Sequence, residues 1–442
     1  MPVILAPSIL VLICWGLSFG LTAMAVAFPQ VFDLVPVFLR REGRDLGDVA
    51  QLSIGHLWLV TALLAFLVGC LAGNVATRHR PPGPFSTDLV RAARIVARVN
   101  LLLLLVTGAW IAVSAAKVGG LVPLILLSVA DNLTARDTLL DTKLFTGMRL
   151  FYAALPATGC LAAGLLATGL PPRAKRACIG VLVLNTVTLA LLPIVMSQRL
   201  LLLQFLLSSY MATCLVKRRI VGLRWLLLAG LLFLGVWMLR ESVTNPQFYR
   251  HPVDLGLQKL AYYFVNDLGN AIGPVGADIP HTYGALSFRG VLFLTFSEGL
   301  IEGALKDRLA MLNTLKGGGE FPLLTAPFVD FGVVGGVSVL MLFGFVCQVV
   351  YRVAHVRFLA AVVYAHIGAG LLFSSHAVYI SHQNQLFGLI LVFAIVRLSR
   401  VKAMPPMPIR LPDPAKDAVF HTRRKRVRAT ETERTTLELV RA

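Results

Sequence analysis

In a chain of 442 residues that is 57% hydrophobic and only 14% charged, the side chains able to do polar chemistry can be weighed one by one. Arg199 stands in MSQRLLLL, between two apolar runs so close together that the turn holding it is short. A guanidinium fixed in such a turn can fork onto a phosphate through two parallel hydrogen bonds. The competing reading is an interfacial arginine that snorkels to water. Arg136, Arg149, Arg250 and Arg289 are further arginines in polar connections. Two or three of them converging with Arg199 would neutralise a diphosphate leaving group, and each alone reads equally as a solvated or ion-paired residue. Arg289 is the best placed of these, between Tyr283-Gly284 and an amphipathic run containing Glu298.

Displacement of a phosphate by a hydroxyl needs a base, and Asp, Glu or His can serve. Asp267, His281, Glu298, Glu320 and Asp330 are the candidates. Asp330 enters an apolar run directly in TAPFVDFGVVGG, where desolvation would raise its pKa. The bland alternative is that it caps a helix N-terminus. His376 and His382 flank Tyr379 at a spacing that does not suggest a metal site, and His366 is expected to pack inside the helices. No phosphate-binding glycine loop, nucleophile elbow or HExxH occurs. The six cysteines lie in or beside apolar runs without a Cys-x-x-Cys pair, so they read as small packing residues. No metal or other cofactor is expected.

The elements that must position these groups are membrane helices. A soluble domain carries about 25% charged residues, far more than this chain. Spans of about 20 apolar residues are expected about ten times. They centre on 3–28, 52–75, 97–116, 148–169, 178–197, 200–216, 221–239, 323–351, 358–379 and 384–399. Ala25-Val26-Ala27 resembles a cleavage site, but no Lys or Arg precedes it and the run is too long for a signal peptide, so 3–28 is expected to stay as a helix. The expected fold is an all-α integral membrane protein. Residues 1–239 would supply about seven helices, 240–322 a large outer loop, 323–399 about three more helices, and 400–442 a basic tail.

The net charge of +19 would suit nucleic acid, but its distribution does not. Alternate connections hold 26 of the 41 cations with only six acids; the opposite set balances to about −1. By the positive-inside rule both termini are cytoplasmic, and the tail segment HTRRKRVRAT is a lipid-facing anchor rather than a nucleic-acid site. The stretch Arg240–Gly336 then lies outside. It holds nine of the 22 carboxylates, and within it 255–271 and 286–312 read as amphipathic surface helices. Residues 117–147 read as a re-entrant or interfacial segment.

About ten spans, an arginine at a short outer turn, and a long outer loop frame Asn313-Thr314, then Asp330-Phe331-Gly332 and Gly335. Gly119-Gly120 and the stretch Tyr262-Tyr263…Asn266 add to the pattern. Together these resemble the O-antigen polymerase (Wzy-type) family of repeat-unit polymerases, in topology over most of the chain and in motif over short stretches. The resemblance implies action at the periplasmic face of the bacterial inner membrane on undecaprenyl-diphosphate-linked oligosaccharides, with neither nucleotide sugar nor metal. Arg199 would hold the diphosphate, with Arg289 second and Arg136 and Arg250 in support. Tyr262, Tyr263, Asn266 and Asn313 would meet the glycan. The base does not carry over to one residue, so Asp330, Asp267, Glu298 and His281 stay open. Membrane lipids, and a chain-length regulator, would be partners. An O-antigen ligase is the neighbouring alternative, kept open by His251 and His281. A transporter or flippase would instead predict charged or broken segments at mid-membrane and internal repeats.

Overall fold

The computed structural model describes residues 2–77, 85–142, 144–196, 199–244 and 251–402. Among them helices dominate. In order they are α1 (Pro7–Ala27), α2 (Leu34–Arg41), α3 (Leu46–Ala50), α4 (Ile54–Ala76), α5 (Leu89–Lys117), α6 (Leu121–Ala130) and α7 (Asn132–Asp141). Then come α8 (Arg149–Ala153), α9 (Leu155–Leu166), α10 (Pro172–Met196), α11 (Arg199–Val216), α12 (Leu223–Thr244) and α13 (Pro252–Ile272). The last six are α14 (Arg289–Leu294), α15 (Glu298–Ala304), α16 (Lys306–Thr314), α17 (Ala326–Val353), α18 (Phe358–Leu371) and α19 (Gln383–Leu398). Two three-residue strands, Phe85–Thr87 and Arg400–Lys402, are the extended elements among the described residues. One compact unit comprises residues 1–83 and 87–400; a second comprises 84–86 and 401–442. Every residue discussed below belongs to the first. Arg250 and the basic tail segment lie outside the described residues.

Among the described residues, eight helices or helix pairs are long and apolar enough to cross a membrane: α1, α4, α5, α8 with α9, α10, α11, α12 and α17. Their outward leucines support that reading. In α12, Leu227, Leu228, Leu231 and Leu239 are each more than half exposed, a surface suited to acyl chains and costly in water. Two of the expected spans are shorter than their apolar runs suggested. α18 has 14 residues and α19 has 16, or about 21 and 24 Å of helix against ~30 Å of hydrocarbon. The difference at α18 has a use: after Leu371 the chain leaves the helix through turns at 372–376, where the Ser374 carbonyl accepts from the Leu323 amide.

Local chemistry explains the other breaks. Pro156 near the start of α9 lacks the N–H and crowds the preceding turn, which parts α8 from α9. The segment 117–147 folds as the two short helices α6 and α7. Asp131 caps α7 by accepting from the Thr134 amide at 3.1 Å, and Trp110 of α5 holds the far end by donating to the Leu139 and Thr142 carbonyls.

In α17 the helix breaks at Gly332, whose φ of 70° and ψ of −167° belong to glycine. The break frees the carbonyls of Val329 and Asp330, which accept from the amides of Thr282 and Tyr283 at 3.4 and 3.1 Å. Thus the sequence DFGVVGG marks a kink onto which the segment at Thr282 and Tyr283 is laced. The six cysteines are all buried and unpaired.

Candidate active site

Helix α13 organises the site. Pro252 occupies its first turn, where a missing N–H costs nothing, and the His251 ring caps it by accepting from the Val253 amide. Residues four apart share a face, and two such stripes do different work. Asn266 and Asn270 both donate to the Gly318 carbonyl, at 2.6 and 3.2 Å, and Asn270 accepts from the Gly317 amide at 2.9 Å. They pin the triple glycine 317–319 so closely that a Cβ on Gly317 would sit 2.6 Å from the Asn266 side chain. This places Glu320 at the mouth of a cavity. Tyr263 and Asp267, on the adjacent stripe, line the same cavity.

The cavity has a volume of about 620 Å³. Arg199, the first residue of α11, is buried at its edge. Its guanidinium lies 4.0 Å from the Trp237 ring centre, donates to the Tyr263 hydroxyl at 2.8 Å and pairs with the buried carboxylate of Glu241. Arg240 reaches that same carboxylate at 3.2 Å. Arg136 of α7 also lines the cavity. Two arginines thus share one carboxylate beside a third arginine and the N-terminus of an 18-residue helix, which suits an anion at Arg199 itself; across the whole cavity the two lining arginines are matched by Asp267 and Glu320.

On the same cavity, His376 Nδ1 lies 3.0 Å from the Asp267 carboxylate. Burial holds the Asp267 pKa above its ordinary value, only partly countered by His376. Burial alone would lower His376, but the charge and hydrogen bond of Asp267, helped by Glu320, outweigh it and the net shift is upward. A carboxylate on Nδ1 fixes the tautomer and leaves Nε2 as the basic nitrogen. His382 stacks on Tyr379 beyond, and burial lowers its pKa. The remaining wall is apolar: Leu200, Leu203 and Leu207 at helical spacing on α11, with Phe233 of α12 and Phe264 of α13.

Of the residues singled out in the sequence, Arg199, Arg136, Tyr263, Asp267 and Glu320 meet here, together with His376 and His382. Asn266 stands behind the cavity on the glycine loop, and buried Tyr262 packs on Phe38. Arg289, Glu298 and Asn313 line a separate, smaller cavity. There Arg289 is half exposed and paired with Glu298 at 2.9 Å and Glu302 at 3.5 Å. His281 is exposed; its carbonyl accepts from Arg308, and it does not line the large cavity. Arg149 donates to the Leu140 carbonyl, tying α8 to α7.

Asp330 is fully buried, but its carboxylate accepts from the Thr282 hydroxyl and from the Leu286 and Ser287 amides. Those three donors make it the fastener of the 282–287 turn. Sequence reading passed over Glu241 and Trp237, and it noted His376 without counting it among the bases; a charged pair, Arg240-Glu241, closing an apolar run was the one visible signal of the first two. Among the described residues no group of three or more His, Cys, Asp or Glu side chains is placed to hold a metal ion.

No family model, no curated protein and no solved structure matches this chain.

Proposed function

We propose that the large cavity transfers a glycan from a lipid diphosphate to a sugar hydroxyl, the chain being a polymerase of undecaprenyl-diphosphate-linked repeat units at the periplasmic face of a bacterial inner membrane. The observation that carries this reading is the make-up of one cavity: an arginine cluster, a carboxylate-held imidazole and a wall of leucines from apolar helix α11. A lipid diphosphate has those three parts, a dianionic group, a sugar and an isoprenoid tail. The charge asymmetry of the connections supports a periplasmic position for this end of the bundle, with both termini cytoplasmic. A chain-length regulator would act from the same side.

In the reaction the acceptor hydroxyl oxygen attacks the anomeric carbon. The bond from that carbon to the diphosphate oxygen breaks, and its electron pair departs with the diphosphate. His376 Nε2 takes the hydroxyl proton while Asp267 holds the ring and favours the imidazolium that forms. Arg199 and Arg136, with the first amides of α11, meet the charge growing on the leaving group; donors aimed in this way are commonly worth about 10²–10³ in rate. Glu241 and Trp237 hold the planar Arg199 guanidinium in position.

The test is a gel of surface glycolipids from a strain lacking the gene, complemented with wild type or Arg199→Ala. Loss of the long ladder with a single repeat unit retained is expected in the deletion and the variant. Loss of every repeat from the lipid core, with lipid-linked polymer accumulating, would make the same cavity a ligase. An unchanged ladder would overturn both and favour a transporter.

A further inference from the structure

A second cavity, of about 160 Å³, shares the segment 316–321 with the large one. Consecutive residues serve the two spaces: Glu320 lines the large cavity, Phe321 and Lys316 the small one. The polar lining is Arg289, Glu298, Glu302, Asn313 and Lys316, over the buried Phe321. Glu298 and Glu302 are four residues apart on α15, so their carboxylates point the same way, and the Arg289 fork holds both. The Lys316 ammonium sits 5.6 Å from the Phe321 ring centre.

Size and charge narrow the occupant. At ~30 Å³ per water the space holds about five waters, which suits one sugar ring and not an isoprenoid. Its two cations, Arg289 and Lys316, face the two carboxylates of Glu298 and Glu302, and the Arg289 guanidinium is already paired to both, so no cation is left over to draw a phosphate. Planar carboxylates and a guanidinium already locked together, with an amide beside them, offer paired acceptors and donors of the kind that adjacent sugar hydroxyls satisfy.

We infer that the small cavity binds an uncharged sugar residue of the acceptor glycan, and so sets which repeat unit is extended. The inference rests on the glycosyl-transfer reading of the large cavity. It is tested on the full chain in lipid nanodiscs by saturation-transfer NMR. The probe is the free oligosaccharide released by mild acid from the native strain's lipid-linked repeat unit. Asn313→Ala and Glu302→Gln alter exposed side chains, and each is expected to weaken binding about tenfold, the worth of one hydrogen bond at the upper end of its range. Arg199→Ala is expected to leave binding in place, because that arginine faces the diphosphate. Unchanged binding in both pocket variants, no binding to wild type, or loss of binding in Arg199→Ala would each overturn the inference. Binding that follows the pocket variants in a protein whose deletion leaves the ladder unchanged would keep the sugar site and discard the transferase.

Discussion

Asp267 and Asp330 are both buried aspartates near the same end of the bundle, and their surroundings differ in kind. Asp330 is surrounded by one hydroxyl and two amides that can only donate. Asp267 faces an imidazole that can gain or lose a proton at the wall of an open cavity. Burial makes a carboxylate costly in both places; only the partner decides whether that cost is fixed into architecture or coupled to proton transfer. The region around Asp330 is a joint, and the region around Asp267 is a site.

Substitutions can break or sharpen this contrast. The largest effect is expected at the imidazole pair: His376→Ala and Asp267→Asn should each lower turnover by about 10²–10⁴, measured as polymer formed per folded molecule, while Asp330→Ala stays within severalfold of wild type. Equal losses at the two aspartates would erase the distinction.

Stability should reverse the order. Asp330→Ala leaves three donors without an acceptor in a buried turn, at about 1–3 kcal/mol each, so a loss of about 3 kcal/mol or more is expected in thermal or denaturant unfolding. A smaller effect concerns pH. His376 must be neutral to act as base, and its raised pKa places the acid limb of the rate profile above the ordinary imidazole value of about 6.5. In Asp267→Asn the carboxylate charge is gone while burial remains, so the residual activity should show its acid limb at lower pH; a limb that moves upward would contradict the pairing. The smallest change is expected for Asp330→Asn, which keeps one acceptor oxygen and should cost about 1–2 kcal/mol.

The helices were largely legible because apolar runs of span length announce themselves. The joint was half legible: DFGVVGG stood out, but a buried base and a turn fastener share the same sequence signature, and what separates them comes from residues 282–287, some 45 positions away. The site was legible in its parts and hidden as a whole. Arg136, Arg199, Glu241, Asp267, Glu320 and His376 come from α7, α11, α12, α13 and two connections, and nothing in their spacing says that they meet. His376 was hidden for a further reason. Its apolar run reads as continuous helix to 379, and only the early end of α18 turns the ring toward α13.

The burial of all six thiols has a practical side. A water-soluble maleimide meets no native cysteine at the surface, so a single introduced cysteine reports its own location without stripping the others first. Thr314→Cys on α16 and Lys175→Cys on α10 are exposed positions in connections of opposite charge character. Applied to intact spheroplasts, an impermeant maleimide should tag the first at once and the second only after permeabilisation, and the reverse order would turn the whole protein over in its membrane.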